Sequence, residues 1–320
     1  MNFTKTIGID VAKDKLDICL LGDRQKTKNL QVANNQQGIH KMVEKLNFYQ
    51  VNDDIPIVIE ATGGYHYGIM FNLMEKGYRV CLINPLLTKK YSHGSIRKTK
   101  TDKIDAQLLA EIGLKEELRP TTETSTDVLN KSKGRLLISY QQKLRAINNQ
   151  LATVNNQAVQ DKFTVRILKK TKKDLQNDIK TIKQAIKETG STGSPTDKIK
   201  GVSEVNWQII VNELGNIERF NNRRQIVAFA GLDPSIRESG SSVRGKSKIS
   251  KRGSKTLRCV LYQSAWGVFM HNTKFKEFYN RKKKEGKHYF TCLTAIARKL
   301  LLMIYAILKT TNRTILPESI

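Results

Sequence analysis

Four acids sit where apolar strands and helix starts should leave little room for charge. Asp10 closes the stretch "TIGID", Glu60 closes "IPIVIE", and Asp102 and Asp105 stand three apart in "TDKIDAQLLAE". Spacing of three on a helix puts both side chains on one face. An unpaired carboxylate in apolar surroundings is costly, so such acids need partners. If the two strands are neighbours and the helix crosses their ends, the four carboxylates converge, and cations make that arrangement tolerable. Oxygen-only ligands select Mg²⁺, or Mn²⁺, over zinc. Two such ions about 3.5–4 Å apart would clamp a phosphodiester and stabilise both its attacking and its leaving oxygen. Each acid also has an ordinary reading. Asp10 could be a turn residue, Glu60 a helix-capping acid, Asp102 a favourable charge at a helix N-terminus, and Asp105 a partner of Arg97 or Lys98. Asp14 and Asp17 read as surface residues of a hairpin.

A second candidate is "SIRESGSSVRGKSKISKRGSK", residues 235–255, where seven serines alternate with Lys and Arg and Glu238 is the one acid. A serine hydroxyl is a poor nucleophile at neutral pH and needs a base or a metal. No histidine lies nearby in sequence. His40, His66, His93, His271 and His288 show no ligand spacing and read as structural or surface residues. Composition alone describes a flexible basic segment that touches phosphates without selectivity. Arg237, Arg244 and Lys246 could neutralise charge developing on a phosphate, or simply bind one.

These residues need a scaffold, and hydrophobic periodicity supplies one. "TIGIDVAKDKLDICLLG" reads as two strands joined by a tight turn at "AKDK", with "KTKNLQVAN" as a third. Then follow a helix "QQGIHKMVEKLNFY", a buried strand "IPIVIEA", a helix "GYHYGIMFNLMEKG" ending at Gly77, and a buried strand "YRVCLINP". The order βββαβαβ predicts a mixed sheet flanked by helices, with a further helix starting at Thr101 as N-cap. Apolar residues at Leu137, Tyr140, Leu144, Ile147, Leu151 and Val154, then at Leu168, Leu175, Ile179, Ile182 and Ile186, predict two long helices, or one interrupted near "NNQAVQDKF", forming a coiled-coil arm. "ETGSTGSPTDK" reads as a linker. The expected domains are 1–124, α/β; 125–194, the helical arm; and 195–320, mainly helical, with the serine-rich stretch as a loop or hairpin.

Composition narrows the partners. Across 320 residues, 56 Lys and Arg against 29 Asp and Glu give a formal charge of +27. Residues 241–320 carry 18 of the basic residues and three acids. Such charge repels itself unless a polyanion is present, and nucleic acid is the obvious one. The run "LLLMIYAIL" from Leu300 is shorter than the roughly 20 residues of a membrane span and reads as a buried helix, so no membrane partner is expected. Without a secretory signal at "MNFTKTIGID", the expected location is the cytoplasm. Cys19, Cys81, Cys259 and Cys292 show no CxxC pairing and read as reduced core residues. Aromatic residues make up 7% with no stacking motif, so base reading by protein contacts is expected to be weak.

"IGIDVAKDKLDICL", "IEATGGYHYGI", "VCLINP", "RKTKTDKIDAQLLAE" and "FAGLDPSIRESGSSVRGKSKISKRGSKTLRCVLYQSA", in that order, resemble the transposases of the insertion-sequence 110 family. These pair a RuvC-like DEDD domain with a C-terminal transposase domain. The resemblance spans nearly the whole chain. It implies an RNase H-like fold in which Asp10, Glu60, Asp102 and Asp105 are catalytic acids that bind Mg²⁺, with no nucleotide cofactor. It implies that Ser239 is the nucleophile in DNA strand exchange. Arg237, Ser241, Ser242, Arg244, Lys246, Lys248, Lys251 and Arg252 would grip nucleic acid around it. It also implies a structured bridge RNA that pairs with donor and target DNA. The assembly it implies is a homotetramer in which the RuvC-like domain of one subunit meets the transposase domain of another. One rival is a metal-dependent junction resolvase that uses the acids and water with no covalent step. Another is a non-catalytic RNA-binding or architectural protein. One departure is visible: "IKGVSEVNWQIIVNEL" looks like a helix-hairpin-helix segment in which Ser203 stands for a second glycine. A left-handed geometry at that position would strain the serine and weaken a backbone contact with phosphate.

Overall fold

The structure is a computed structural model describing residues 4–22, 26–61, 63–92, 102–157, 161–189, 199–235, 238–239, 243–244 and 248–315. It divides into two compact units, Met1–Thr124 and Ser125–Ile320.

In the first unit, β1 (Thr4–Val11), β2 (Lys15–Gly22) and β3 (Thr27–Ala33) form the antiparallel meander that the alternating sequence predicts. The Ala12 amide donates to the Lys15 carbonyl across the first turn. After α1 (Gln36–Phe48), β4 (Ile57–Glu60) enters parallel to β1; after α2 (His66–Glu75), β5 (Val80–Ile83) pairs parallel with β4. The resulting order β3-β2-β1-β4-β5 is RNase H-like. Helices cover both faces. On one side Ile7, Ile9, Leu16, Ile18 and Ile57 share a core with Met42 and Leu46 of α1 and Ile69 and Met70 of α2. Each such fully buried side chain contributes roughly 1.5–3 kcal/mol. On the other side lies α4 (Asp102–Lys115), where Cys19 and Leu21 meet Ala106 and Ala110, and Val58 and Ile83 meet Leu109 and Ile112. Between β5 and α4 the structure adds a helix that periodicity does not reveal, α3 (Pro85–Ser92). Proline at its first position and an Asn84 side chain accepting from the Leu86 amide explain its start. Thr101, Arg97 and Lys98 lie outside the described residues.

In the second unit, α5 (Ser125–Asn155) and α6 (Lys162–Glu188) pack along one another, with Leu151, Leu175 and Ile179 buried. Asp161 caps α6 by accepting from the Phe163 and Thr164 amides. Leu137 and Ile138 of α5 and Ile186 of α6 enter one core with Trp207, Ile209 and Ile210 of α7 (Glu204–Leu214). That core is completed by α8 (Arg223–Ala230), α9 (Lys255–His271), α10 (Thr273–Lys284) and α11 (Tyr289–Ile315). Most of the linker candidate, residues 190–198, lies outside the described residues.

Two expectations are corrected here. The apolar run from Leu300 belongs to a longer helix: Tyr289–Thr310 is long and apolar enough to cross a membrane. Its apolar character has a local cause, because Leu293, Ile296, Ala297, Leu300, Leu301 and Ile304 recur at three and four and are buried in the helical core. Ser203 is not strained. It has φ −73° and ψ 151°, and its hydroxyl accepts from the Asn206 amide as the N-cap of α7, a position that favours serine. The left-handed residue is Gly201, at φ 101°, where a Cβ would strike the Gly267 carbonyl. Cys19, Cys81, Cys259 and Cys292 are free thiols, the first, second and fourth buried. Burial, with the Glu111 carboxylate adding to it, pushes the Cys19 thiol up to about 11.

Candidate active site

Residues two apart on a strand share a face, and two glycines identify which face meets α4. A Cβ on Gly8 would stand 2.0 Å from the Ala106 carbonyl oxygen and 2.5 Å from the Ala110 nitrogen. A Cβ on Gly113 would meet Thr6 Oγ1 at 2.3 Å and Val58 Cγ2 at 2.8 Å. By alternation, Asp10 of β1 lies on the same face as Thr6 and Gly8, and Glu60 of β4 on the same face as Val58. Gly113 over Thr6 and Ala106–Ala110 over Gly8 also means that α4 runs antiparallel to β1, so its first turn lies toward Asp10. The pairing of Ile9 with Ile59 makes Asp10 and Glu60 neighbours at the carboxyl ends of adjacent parallel strands, which lie about 4.8 Å apart.

Asp10, Glu60 and Asp105 are each half-buried and each engages a partner. Asp102 opens α4, and its side chain lies outside the described residues. Among the described residues no group of three His, Cys, Asp or Glu is gathered closely enough to hold a metal ion. The donors sharing this face are nevertheless carboxylate oxygens, the hard ligand type that Mg²⁺ or Mn²⁺ takes.

Asp17 departs from the expectation of a surface residue. It is 3% exposed and lies directly opposite Asp10 in the β1–β2 register. Like charges facing each other across an antiparallel pair repel. Here Lys15 Nζ, 3.2 Å from Asp17 Oδ2, and Gln31 Nε2, donating to Asp17 Oδ1 at 2.7 Å, offset that repulsion. Asp17 and Lys103 of α4 line one small cleft, so the carboxylate lies beside the start of that helix. A sheet covered on both faces has no solvent side for β2, and a polar residue there is therefore buried.

The described residues of the serine-rich stretch form two short antiparallel strand pairs, as a hairpin would. β6 (Pro234–Ser235) pairs with β9 (Lys248–Ile249), and β7 (Glu238–Ser239) pairs with β8 (Val243–Arg244), Ser239 facing Val243. Its base is tightly built. Gly231 caps α8 in left-handed geometry, the Ser250 amide donates to the Asp233 carbonyl at 2.7 Å, and the Ser254 amide donates to the Phe229 carbonyl at 2.8 Å. Gly253 lies so close to Phe229 that a Cβ would stand 1.9 Å from its carbonyl oxygen. Ser254 caps α9 and its hydroxyl donates to Glu213 Oε2 at 2.8 Å; Arg135 Nε binds Glu213 Oε1 at 3.0 Å. Glu213, 3% exposed, thus ties α7 to α5 and to the exit of the hairpin.

Two family profiles match the chain, the first running past the boundary between the units into α5. A DEDD transposase profile of IS110 matches residues 7–144, and a profile described as transposase, IS116/IS110/IS902 family, matches residues 196–280. The chain belongs to the IS110 transposase family. It is 27% identical over 315 residues to the pilin gene-inverting protein of Moraxella bovis, covering 95% of each chain. It is 23% identical over 349 residues to the transposase for insertion sequence element IS1111A of Coxiella burnetii, covering 96% of this chain and 90% of that one. A solved structure of Thermus thermophilus RuvC aligns with 36% of this chain and 99% of its own, at 16% identity and a TM-score of 0.28.

In this IS110-family transposase the two candidate groups lie in different units, the acids in the first and Ser239 in the second. Of the basic candidates, Lys248, Lys251 and Arg252 are exposed at the base of the hairpin, Lys251 in left-handed geometry at φ 55°. Arg244 is described by its backbone, while Arg237, Ser241, Ser242 and Lys246 lie outside the described residues. Asp17 and Glu213 are the acids that sequence reasoning missed. Asp17 carries one signal, its place two residues before the core cysteine of the same strand. Glu213 carries none, since its partners come from positions 135 and 254.

Proposed function

We propose that this IS110-family transposase breaks and rejoins DNA through a covalent phosphoserine formed by Ser239. Ser239 Oγ bonds to a phosphorus as the P–O3′ bond breaks; the serine proton is taken up by a base, and the departing oxygen becomes a free 3′-hydroxyl. The 3′-hydroxyl of the partner strand then attacks the phosphoserine, breaking the P–Oγ bond and restoring the serine. One ester is exchanged for another at each step, so no nucleotide cofactor is consumed. Asp10, Glu60, Asp102 and Asp105 would hold Mg²⁺, or Mn²⁺, and a cation held there would supply positive charge to polarise the phosphate and favour the serine alkoxide. Arg244, Lys248, Lys251 and Arg252, with Arg237 and Lys246, would hold the DNA backbone against the hairpin.

The observation that supports this most is the placement of Asp10 and Glu60 side by side, on the sheet face that receives the start of α4. Because the acids and the serine belong to separate units, we further propose that a homotetramer supplies acids from one subunit to the hairpin of another. A bridge RNA pairing with donor and target DNA would supply sequence choice.

The test is adduct formation. Wild-type protein incubated with co-purified RNA, Mg²⁺ and matched DNA is expected to give a protein–DNA species stable to detergent, and Ser239→Ala to give none. Asp10→Asn and Glu60→Gln are expected to lower adduct formation while leaving DNA binding intact. An adduct formed by Ser239→Ala removes the serine assignment. Strand cleavage without rejoining that is retained by Ser239→Ala but lost in Asp102→Asn identifies a resolvase-like hydrolysis instead.

A further inference from the structure

No stacking motif is legible in the sequence, yet the fold assembles a surface of rings from three helices. Trp266 of α9 lies 6.1 Å from Tyr289 of α11, Tyr279 of α10 lies 6.3 Å from the same ring, and Phe290 lies 5.2 Å from it, centroid to centroid. Trp266, Met270 and Phe290 are 45%, 56% and 65% exposed. Met270 follows Trp266 by one helical turn and shares its face. Single exposed apolar residues are ordinary on a surface; a contiguous group backed by an aromatic network marks an interaction site.

The charge beside it selects the partner. One turn beyond Tyr279, α10 ends on Arg281, Lys282, Lys283 and Lys284, and Lys287 follows. The acid in this segment, Glu285, is paired with Lys282 at 2.8 Å. Its carboxyl is held below the usual range by the Lys282 hydrogen bond, with Lys287 and Arg281 adding to the effect. Rings flanked by a basic strip suit a ligand with π-faces along a polyanionic backbone.

We propose that this surface binds an unpaired DNA strand, with bases stacking on Trp266 and Phe290 and phosphates following the last turn of α10. Apolar contact from the exposed Trp266, Met270 and Phe290 favours the thymine methyl group, which RNA lacks. The inference rests on the protein acting on DNA, and it is independent of the roles given to Ser239 and the acids.

Binding of the full chain to labelled oligothymidylate, oligouridylate and duplex DNA, each about 15 nucleotides long, tests it. Trp207 is buried and Trp266 exposed, so in Trp207→Phe protein the emission reports on Trp266, and oligothymidylate is expected to quench it. Trp266→Ala and Phe290→Ala are each expected to weaken oligothymidylate binding about tenfold with duplex binding unchanged. Lys283→Ala is expected to reduce the salt dependence of that binding. Unchanged oligothymidylate affinity in both ring variants, with wild-type melting, overturns the proposal. So does tighter binding of oligouridylate, or a change of oligomeric state in the ring variants with oligonucleotide affinity intact, which would make the surface a subunit contact.

Discussion

Replacing Gly8 by alanine places a methyl group in the contact that seats α4 on the sheet. The added carbon would stand 2.0 Å from the Ala106 carbonyl oxygen, 2.5 Å from the Ala110 nitrogen and 2.9 Å from Leu109 Cβ. Ordinary contact begins at 3.4 Å, so the helix has to retreat by about 1.4 Å, the difference between 3.4 and 2.0. Two of the three obstacles are backbone, and no rotamer change relieves them. Overpacking of this kind costs about 1–3 kcal/mol, which for a unit of this size is roughly 3–15 °C in Tm. The retreat also carries the first turn of α4 away from Asp10 and Glu60. A misplacement of about 1 Å at a reacting centre costs on the order of 100-fold in rate. Thermal unfolding followed by circular dichroism, and strand transfer per folded molecule on matched DNA, are the two assays. Gly68→Ala on α2, where an added Cβ meets nothing within 4 Å, is the control and is expected to melt at or slightly above wild type. A Gly8→Ala protein with wild-type melting and wild-type strand transfer would refute the reasoning that direct backbone contact between β1 and α4 sets the acidic face.

Two further outcomes follow from polar contacts in the second unit. Glu213→Ala removes the acceptor shared by Arg135 and Ser254 and is expected to cost about 2–3 kcal/mol in denaturant unfolding, with Glu213→Gln costing less because it keeps the Ser254 bond. A change below about 0.5 kcal/mol would show that the contact does not hold the hairpin exit. Asp161 is held below the usual carboxyl range by the Thr164 hydroxyl, then by the Thr164 and Phe163 amides. A carboxyl depressed on folding stabilises the helix above its unfolded pKa of about 3.9 and loses that effect as pH falls through the lower folded value. Helix content of wild type and Asp161→Ala is therefore expected to differ at neutral pH and to converge in acid; a constant difference down to pH 2 would contradict the cap.

Local pattern carries a large part of this protein. Period-two alternation at "TIGID" and "KNLQVAN", and three-four spacing in the arm and in "TCLTAIARKLLLMIYAIL", state strand or helix within a few residues, because each short-range period needs one buried face. Residue type also singles out Asp10, Glu60, Asp102 and Asp105, since carboxylates at the ends of apolar strands and helix starts are costly without a reason. Periodicity leaves open which faces oppose each other. That Asp10, Asp17 and Glu60 face the same helix depends on strand order and on Gly8 and Gly113 letting α4 approach the backbone. The buried state of Asp17 depends on coverage of both sheet faces, which a single strand cannot report. The Glu213 contact joins positions 135, 213 and 254, and the ring surface joins three helices through Trp266, Tyr279 and Tyr289. Neither has a spacing rule, because the distances that matter there are set by packing between helices and not by repeat along any one of them.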